Sequence, residues 1–242
     1  MQMGNGRWAG VIGLSVAFVG AAAVVGPGDA GAAQSAQAYY QAALGNVMAT
    51  TGVHYVSRAS SGGVTQMIVG DAGTASGSQV LTVDFGKGKV GKAQVKLVNG
   101  TVYLNADSGF YAGTGIVSDP PPAGTWLVVT SSDQYYSQFA SGLTVASVAQ
   151  QIALSSPYSY RGAARIGRIR ALGVKGESKE ATSSGSVTVP ETVWIRSTGT
   201  PVPVLVTAGN AKAKETVTLS KYGETVNVAV PAPTAPASQF GA

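Results

Sequence analysis

The hydrophobic period of the chain predicts one helix followed by strands. Five apolar residues recur at the spacing i, i+3, i+4, i+7 and i+8, which puts them on one helix face: Tyr40, Ala43, Leu44, Val47 and Met48. Gly52 ends this helix, and from residue 53 apolar and polar residues alternate, with breaks at Gly, Asn, Asp or Ser. A period of two is that of a strand with one buried face, so we expect strands at residues 53–58, 64–70, 79–85, 93–98 and 101–105.

Asn99 and Gly100 are the sharpest turn signal in the sequence. Both residue types tolerate the positive φ that a two-residue type I′ hairpin requires. A turn here fixes the register, so that the pairs on the apolar face are Leu97 with Val102 and Val95 with Leu104. The polar face then holds Gln94, Lys96, Tyr103 and Asn105. One apolar and one polar face predict an antiparallel sheet that is covered on one side.

The middle of the chain interrupts this alternation. Asp119 and the three prolines after it stop regular structure, residues 126–130 form a short apolar run, and helical spacing then returns. We predict a helical insert near residues 131–155, with apolar positions at Tyr135, Tyr136, Phe139, Val145, Val148, Ala149 and Ile152. A second set of strands is expected at residues 166–174, 187–196, 202–207, 215–220 and 225–230, before a flexible Pro/Ala-rich tail at residues 231–242.

Residues 1–33 have the layout of a secretory signal peptide. Arg7 precedes a long uncharged run at residues 8–25, and Gly, Pro and small residues follow it up to Ala33. Cleavage after Ala32 or Ala33 leaves a single domain at residues 34–230, which we expect to be secreted or held in the cell envelope. The alternative is an uncleaved anchor, because the run is just long enough to cross a bilayer.

Composition supports an α+β, mainly antiparallel β class rather than a helical bundle. The 242 residues include 33 glycines and only 11% charged residues, whereas bundles are rich in Glu, Lys and Leu. The chain has no Cys, so we expect neither disulfides nor lipidation of an N-terminal Cys.

The net charge of +5 is explained by two local basic patches. The first comprises Lys87, Lys89, Lys92 and Lys96, and the second comprises Arg161, Arg165, Arg168, Arg170 and Lys175. Export argues against nucleic acid as a partner, so these patches are either solvated surface or contacts for an anionic membrane surface. The candidate membrane contacts are Lys87, Lys89, Lys92, Arg165, Arg168 and Arg170.

No pattern of chemically active residues predicts an enzyme. Residues 86–91 match G-x-G-x-x-G, but a strand pattern follows where a phosphate-binding loop needs a helix, so we expect a hairpin and no cofactor. His54 is the only histidine, and acids such as Asp71, Asp84, Asp107 and Asp119 are scattered among turns. Neither a catalytic nor a metal site is therefore predicted. A Ser–Lys arrangement stays open, although no spacing supports it.

Five segments in the last third of the chain carry a resemblance to a known family. They read VWIR (193–196), GTPVPV (199–204), TVTLS (216–220), YGE (222–224) and VNVAVP (226–231). Together they resemble the terminal strands and closing Pro-rich segment of the LppX/LprG-type envelope proteins, which are related in architecture to the LolA-like lipoprotein carriers. The resemblance implies a curved half-barrel sheet wrapped over helices, with an apolar cavity for acyl chains between them. Many members carry a lipidated N-terminal Cys, which this chain lacks, so we do not expect a lipid anchor.

The implied cavity has eleven candidate lining residues. They are Leu81, Val83, Val95, Leu97, Val102, Leu104, Trp126, Phe139, Leu143, Val148 and Ile152. The same periodicity also describes a filled core. Two functions are therefore favoured: an exported, non-enzymatic carrier or sensor of lipid or another apolar ligand, and a filled-core module for protein interaction or regulation at the envelope. An uncharacterised hydrolase is a third hypothesis.

Overall fold

The computed structural model describes residues 34–182, 185–209 and 213–241, so the predicted signal peptide at 1–33 lies outside the described residues. The strands are β1 Gly52–Ser61, β2 Val64–Gly73, β3 Gly77–Asp84, β4 Val90–Val98, β5 Thr101–Ala106, β6 Trp126–Val129, β7 Ser155–Ile166, β8 Ile169–Thr182, β9 Gly185–Arg196, β10 Pro203–Gly209, β11 Ala213–Ser220 and β12 Thr234–Pro236. The helices are α1 Ala36–Met48, α2 Ser108–Thr114, α3 Tyr136–Ala140, α4 Val145–Gln151 and a short 3-10 helix, Ala237–Phe240. No helix within these ranges has the length and hydropathy that a membrane span requires.

The twelve strands of the described ranges form one sheet, in the order β12-β6-β5-β4-β3-β2-β1-β11-β10-β9-β8-β7. Neighbouring strands are antiparallel except at one edge, where β12 runs parallel to β6. Because β12 and β7 lie at two separate edges, the sheet is open and curved rather than a closed barrel. The predicted class, an α+β fold with a mainly antiparallel half-barrel sheet, is confirmed.

Helix α1 follows its sequence pattern except at its last residue. The Ser35 side chain accepts a hydrogen bond from the Ala38 backbone N–H at 3.1 Å and so caps the helix. Tyr40 and Val47 are fully buried on the predicted face. The prediction for Met48 is wrong, since this side chain is 63% exposed. It lies about 80° around the helix from Tyr40, at the margin of the apolar stripe.

The hairpin between β4 and β5 has the predicted register. Asn99 and Gly100 have φ values of 50° and 76°, as a type I′ turn requires. The predicted apolar pairs form and their side chains are buried: Leu97 with Val102, and Val95 with Leu104. The residues of β4 and β5 that the sequence predicts to face the core are therefore the ones that do so.

Two strands of the second set differ from their prediction. Residues 166–174 are not one strand, because a turn at Gly167, with a φ of 59°, separates β7 from β8. The sequence does not predict β7, an edge strand that is mostly exposed and has no apolar alternation. Residues 225–230 are not a strand either. Val226 packs beside Gly52 and Gly73, so an extended segment with one covered side reproduces the alternation of a strand.

The end of the chain is not the free tail that its composition predicts. Thr234–Pro236 pair with β6, and the Trp126 backbone N–H donates to the Pro233 carbonyl at 3.0 Å. Ala237 is 2% exposed, in a cluster that Phe240 also contacts. Composition misses these contacts because even a segment with few apolar atoms can cover an open sheet edge.

Two apolar clusters lie on the helix-covered face of the sheet, which we call the inner face. The first cluster lies among α1, α4, β1 and β8–β11, and its large buried members are Tyr40, Val47, Val53, Ile152 and Ile195. The second cluster lies among β3–β6, α2, α3 and the chain end, and its large buried members are Leu81, Leu104, Phe110, Leu127 and Phe139. Ile68 of β2 is half-buried and packs against both clusters. Strand β2 therefore lies where the two clusters meet.

Candidate functional site

Strand pairing arranges the inner-face residues in rows that cross the sheet. One row, which we call the apolar row, consists of Leu81, Ile68, Ser57, Val217, Val206, Val193 and Val174. The neighbouring row, which we call the polar row, contains Gln66, Ala59, Glu215, Ala208 and Glu191. The rows are two residues apart along the strands, or about 7 Å. Beside the apolar row, the inner face thus carries three polar side chains, those of Gln66, Glu215 and Glu191.

The apolar row is filled at its ends and less covered at its centre. Leu81 at one end and Val174 at the other are 0% exposed. Ile68 and Val217, on either side of β1, are only half-buried. We define the central site as Ser57, Gln66, Ile68, Glu215 and Val217.

The buried polar groups around the central site differ in their partners. The Ser57 hydroxyl donates to Glu215 Oε1 at 3.3 Å, and the Tyr55 hydroxyl donates to Gln79 Oε1 at 2.6 Å. The Gln66 side chain is only 4% exposed, yet neither its Oε1 nor its Nε2 has a hydrogen-bond partner in the described chain. An unpartnered buried amide costs about 1–3 kcal/mol. The burial of Gln66 is therefore not explained by hydrogen bonding within the described chain.

The inner face is closely packed where α4 begins. Gly77 lies directly under the Leu143 carbonyl, and a Cβ at this position would clash with it. Gly73 forms a parallel bridge with Thr144, the residue that caps α4. These contacts hold the α3–α4 connection on β2 and β3 and so bound the central site on this side.

Ten of the eleven predicted lining residues are buried, but they are divided between the two clusters. The second cluster contains Leu81, Val83, Val95, Leu97, Val102, Leu104, Phe139 and Leu143. Val148 and Ile152 belong to the first cluster. The predicted set is therefore not one continuous lining, and it borders the central site from two sides.

Trp126 does not face the inner side, contrary to its prediction. The buried positions of β6 are Leu127 and Val129, so Trp126 has the opposite orientation. The Lys96 ammonium lies 4.8 Å from the centroid of its ring, and Lys96 alternates with the buried residues of β4. An unbroken run of four apolar residues contains no alternation from which the inward positions can be read.

None of the five central-site residues is among the predicted lining residues. The available signal is a polar residue at an inward strand position, since Ser57 and Gln66 have the same parity as Tyr55 and Ile68 in their strands. The other half of the site depends on the pairing of β1 with β11, between residues that are far apart in the sequence. Local periodicity does not report such a pairing.

On the outer face, the only histidine of the chain lies in a cluster that no sequence spacing indicates. His54 Nδ1 is 2.6 Å from Asp71 Oδ1, and ligand-type atoms of His54, Asp71 and Glu224 all lie within 4.8 Å of one another. Burial raises the pKa of Glu224, and the Asp71 carboxylate adds to this effect. Ser220 is the cross-strand neighbour of His54, but in the described chain no hydrogen bond joins them. Asp71, His54 and Ser220 thus lie in one row across β2, β1 and β11.

The glycine-rich segment at residues 86–91 forms the β3–β4 turn and the start of β4, as predicted. Its lysines and the arginines of the β7–β8 turn lie at opposite ends of the strands, because strand direction alternates from β3 to β8. The predicted membrane contacts are therefore two separate surfaces. On the second surface Arg165 lies directly opposite Arg170, beside a depression of about 420 Å³ lined by Arg168, Ile169, Arg170, Arg196 and Thr198.

Comparison with known proteins identifies the fold. No protein-family model and no curated protein matches this sequence. The structure is similar to LprF from Mycobacterium bovis, with a TM-score of 0.56 and 17% identity over 82% of this chain and 97% of LprF. It is also similar to the lipoprotein LppX from Mycobacterium tuberculosis, with a TM-score of 0.53 and 17% identity over 80% of this chain and 98% of LppX. The resemblance inferred from the last third of the sequence is confirmed at the level of structure: this chain has the LppX/LprG-type fold.

Proposed function

We propose that this protein is an exported, non-enzymatic carrier or sensor that binds a lipid or another apolar ligand between its sheet and its helices. The central site is the proposed contact for the apolar part of that ligand. The observation that carries the proposal is the half-buried centre of the apolar row, where Ile68 and Val217 lie between two filled clusters. The similarity in fold to the lipoprotein LppX supports a location at the cell envelope.

The distribution of burial favours a ligand site over a uniformly filled core. A filled core is expected to be most buried in the middle strands of its sheet, whereas here the middle of the apolar row is less buried than its ends. Ile68 and Val217 lie on β2 and β11, two strand spacings or about 10 Å apart. An apolar ligand that covers both side chains gains about 25 cal/mol for each Å² removed from water.

The polar groups of the inner face support binding rather than catalysis. Ser57 donates its hydroxyl proton to Glu215, a carboxylate rather than the imidazole that activates the nucleophile of a serine hydrolase. The one imidazole of the chain, that of His54, belongs to the outer-face cluster. A carrier needs neither a nucleophile nor a general base at its ligand site.

Uptake of a fluorescent fatty-acyl probe tests this function. Ile68→Trp enlarges the side chain at the centre of the apolar row without adding charge, and we expect it to reduce probe uptake at least about fivefold. The matched control is Val69→Trp, at the next residue of β2, which points to the outer face. This control variant should take up the probe like the wild type.

Two results would overturn the proposal. The first is a wild-type protein that takes up no probe, and the second is an Ile68→Trp protein that folds and takes up as much probe as the wild type. Circular dichroism establishes folding, and Val217→Phe on the other side of Ser57 replaces Ile68→Trp if that variant does not fold.

The alternative function, protein interaction through a sheet edge, is favoured by strand β7. This strand ends the sheet, and most of its twelve residues are exposed. An exposed edge offers unpaired backbone groups to a partner strand. If this is the function, a strand-forming partner protects the β7 amides from hydrogen exchange while the protein takes up no acyl probe.

A further inference from the structure

Gln66 and Gln79 provide a matched comparison on the inner face. They lie on the adjacent strands β2 and β3, and each is 4% exposed. Gln79 accepts a hydrogen bond from the Tyr55 hydroxyl at 2.6 Å, whereas neither amide atom of Gln66 has a partner in the described chain. Buried polar groups are hydrogen-bonded in the great majority of cases. The Gln66 amide therefore has both its donor and its acceptor left for a partner from outside the described chain.

The surroundings of Gln66 combine a small side chain with a second polar group. Ala59, its cross-strand neighbour on β1, is small and only half-buried. Glu215 lies beyond Ala59, two strand spacings or about 10 Å from Gln66. An amide and a carboxylate thus flank one small residue, and Ile68 and Val217 lie one row away.

The hydrogen-bonding atoms of the Gln66 amide restrict the chemistry of that partner. A fatty-acid carboxylate offers only hydrogen-bond acceptors, so it would leave the Gln66 Oε1 without a donor. The Gln66 amide donates through Nε2 and accepts through Oε1. An uncharged group such as a hydroxyl next to an ester satisfies both atoms.

We propose that Gln66 binds an uncharged hydroxyl- or ester-bearing group of the lipid while Ile68 and Val217 contact its acyl chain. This inference rests on the proposed carrier function and adds an orientation and a ligand class to it. The acyl chain lies along the apolar row and the polar group lies in the polar row. Neutral acylglycerols are then better ligands than free fatty acids.

Stability measurements on the ligand-free protein test the unpartnered state of Gln66. Gln66→Leu removes an amide without a partner, so the midpoint of urea unfolding should rise. Gln79→Leu is the matched control, and its midpoint should fall because the buried Tyr55 hydroxyl loses its acceptor. Gln66→Met, which is closer in shape to glutamine, repeats the measurement if leucine does not fit.

Displacement of the bound acyl probe by three competitors tests the subsite. The competitors are monopalmitoylglycerol, palmitate and hexadecane, which share a C16 chain. Wild type should bind monopalmitoylglycerol most tightly, and Gln66→Leu should weaken this binding about five- to tenfold while leaving hexadecane unchanged. The same variant that gains stability should thus lose affinity for the ligand with the polar group.

The outcomes separate this inference from the carrier function. A wild type that binds none of the three competitors overturns both proposals. Unchanged affinity of Gln66→Leu for monopalmitoylglycerol, or tighter binding of palmitate by the wild type, overturns the subsite and leaves the carrier function standing. A fall in the unfolding midpoint of both Gln66→Leu and Gln66→Met also overturns the subsite, because Gln66 then has a partner within the protein.

Discussion

At the scale of single residues, the buried polar groups differ in whether the described chain supplies their hydrogen-bond partners. The Tyr40 side chain is 0% exposed, and its hydroxyl donates to the Ile152 carbonyl at 3.0 Å and accepts from the Leu154 N–H at 2.8 Å. Burial raises the pKa of this phenol, which keeps it protonated as the donor. Tyr40 therefore has a complete structural role, whereas the Gln66 amide has no such pair of partners.

Glu224→Gln tests the electrostatics of the outer-face cluster. Burial and the Asp71 carboxylate raise the pKa of Glu224 above its ordinary 4.5, while Lys221 and His54 oppose the shift. Glu224 therefore loses its proton at a lower pH in the unfolded chain than in the folded protein. As a result, the wild type loses stability as the pH rises from 4.5 to the raised pKa. Glutamine does not ionise, so the stability of Glu224→Gln relative to the wild type should increase as the pH rises through this range. Thermal unfolding of both proteins between about pH 4 and 8 measures the difference. A difference that does not change with pH would contradict the raised pKa.

Residue types predict part of the site and leave its polar half undefined. Leu81, Val95 and Leu104 can be placed on the inner face from alternation alone. Ser57 and Gln66 have the same inward parity, but a polar residue at such a position also suggests a strand that ends or shifts its register. Their burial depends on neighbouring strands that alternation does not specify.

At the scale of secondary structure, Leu97→Arg tests the β4–β5 register. Leu97 faces Val102 in the second cluster and is 6% exposed, so a charge there should lower the free energy of unfolding by at least about 3 kcal/mol. Gln94→Arg places the same charge at an exposed position of β4 and should have little effect. Urea denaturation measures both. A Leu97→Arg protein as stable as the wild type, with unchanged probe uptake, would contradict either the β4–β5 register or the burial of Leu97 in the second cluster.

Strands with one covered face are predictable, and strands defined by their place at an edge are not. The β4–β5 hairpin combines alternation with a turn that requires two positive φ values, so its register follows from the sequence. β7 lacks alternation because it is exposed on both faces. Residues 225–230 show hydrophobic alternation but do not pair with a strand. The alternation indicates only that one side of a segment is covered, not that the segment is hydrogen-bonded in a sheet.

At the scale of the whole molecule, the order of strands could not be derived from local patterns. The sheet is continuous only because β1 pairs with β11, so that Arg58 lies opposite Thr216. The resemblance of the last third of the chain to the LppX/LprG-type proteins predicts an open sheet. Hydrophobic periodicity alone does not determine whether the sheet is open or closed. The same topology divides the basic residues between two ends of the sheet.

Binding to anionic phospholipid vesicles tests which basic surface faces a membrane. We expect the β7–β8 turn to do so, because Arg165 lies opposite Arg170, an arrangement that repels unless an anion is near. Changing Arg165, Arg168 and Arg170 to Glu should abolish sedimentation with the vesicles at low salt. Changing Lys87, Lys89 and Lys92 to Glu alters the net charge equally and serves as the control. Equal losses in the two variants would indicate a non-specific charge effect.

Native mass spectrometry of protein exported by a bacterial host is the most direct test of lipid binding at the central site. We expect the wild type and Val69→Trp to carry a co-purifying lipid, and folded Ile68→Trp to carry none. Wild-type protein that emerges without any bound lipid, or folded Ile68→Trp that retains as much lipid as the wild type, would contradict the assignment of the central site as a ligand-binding site.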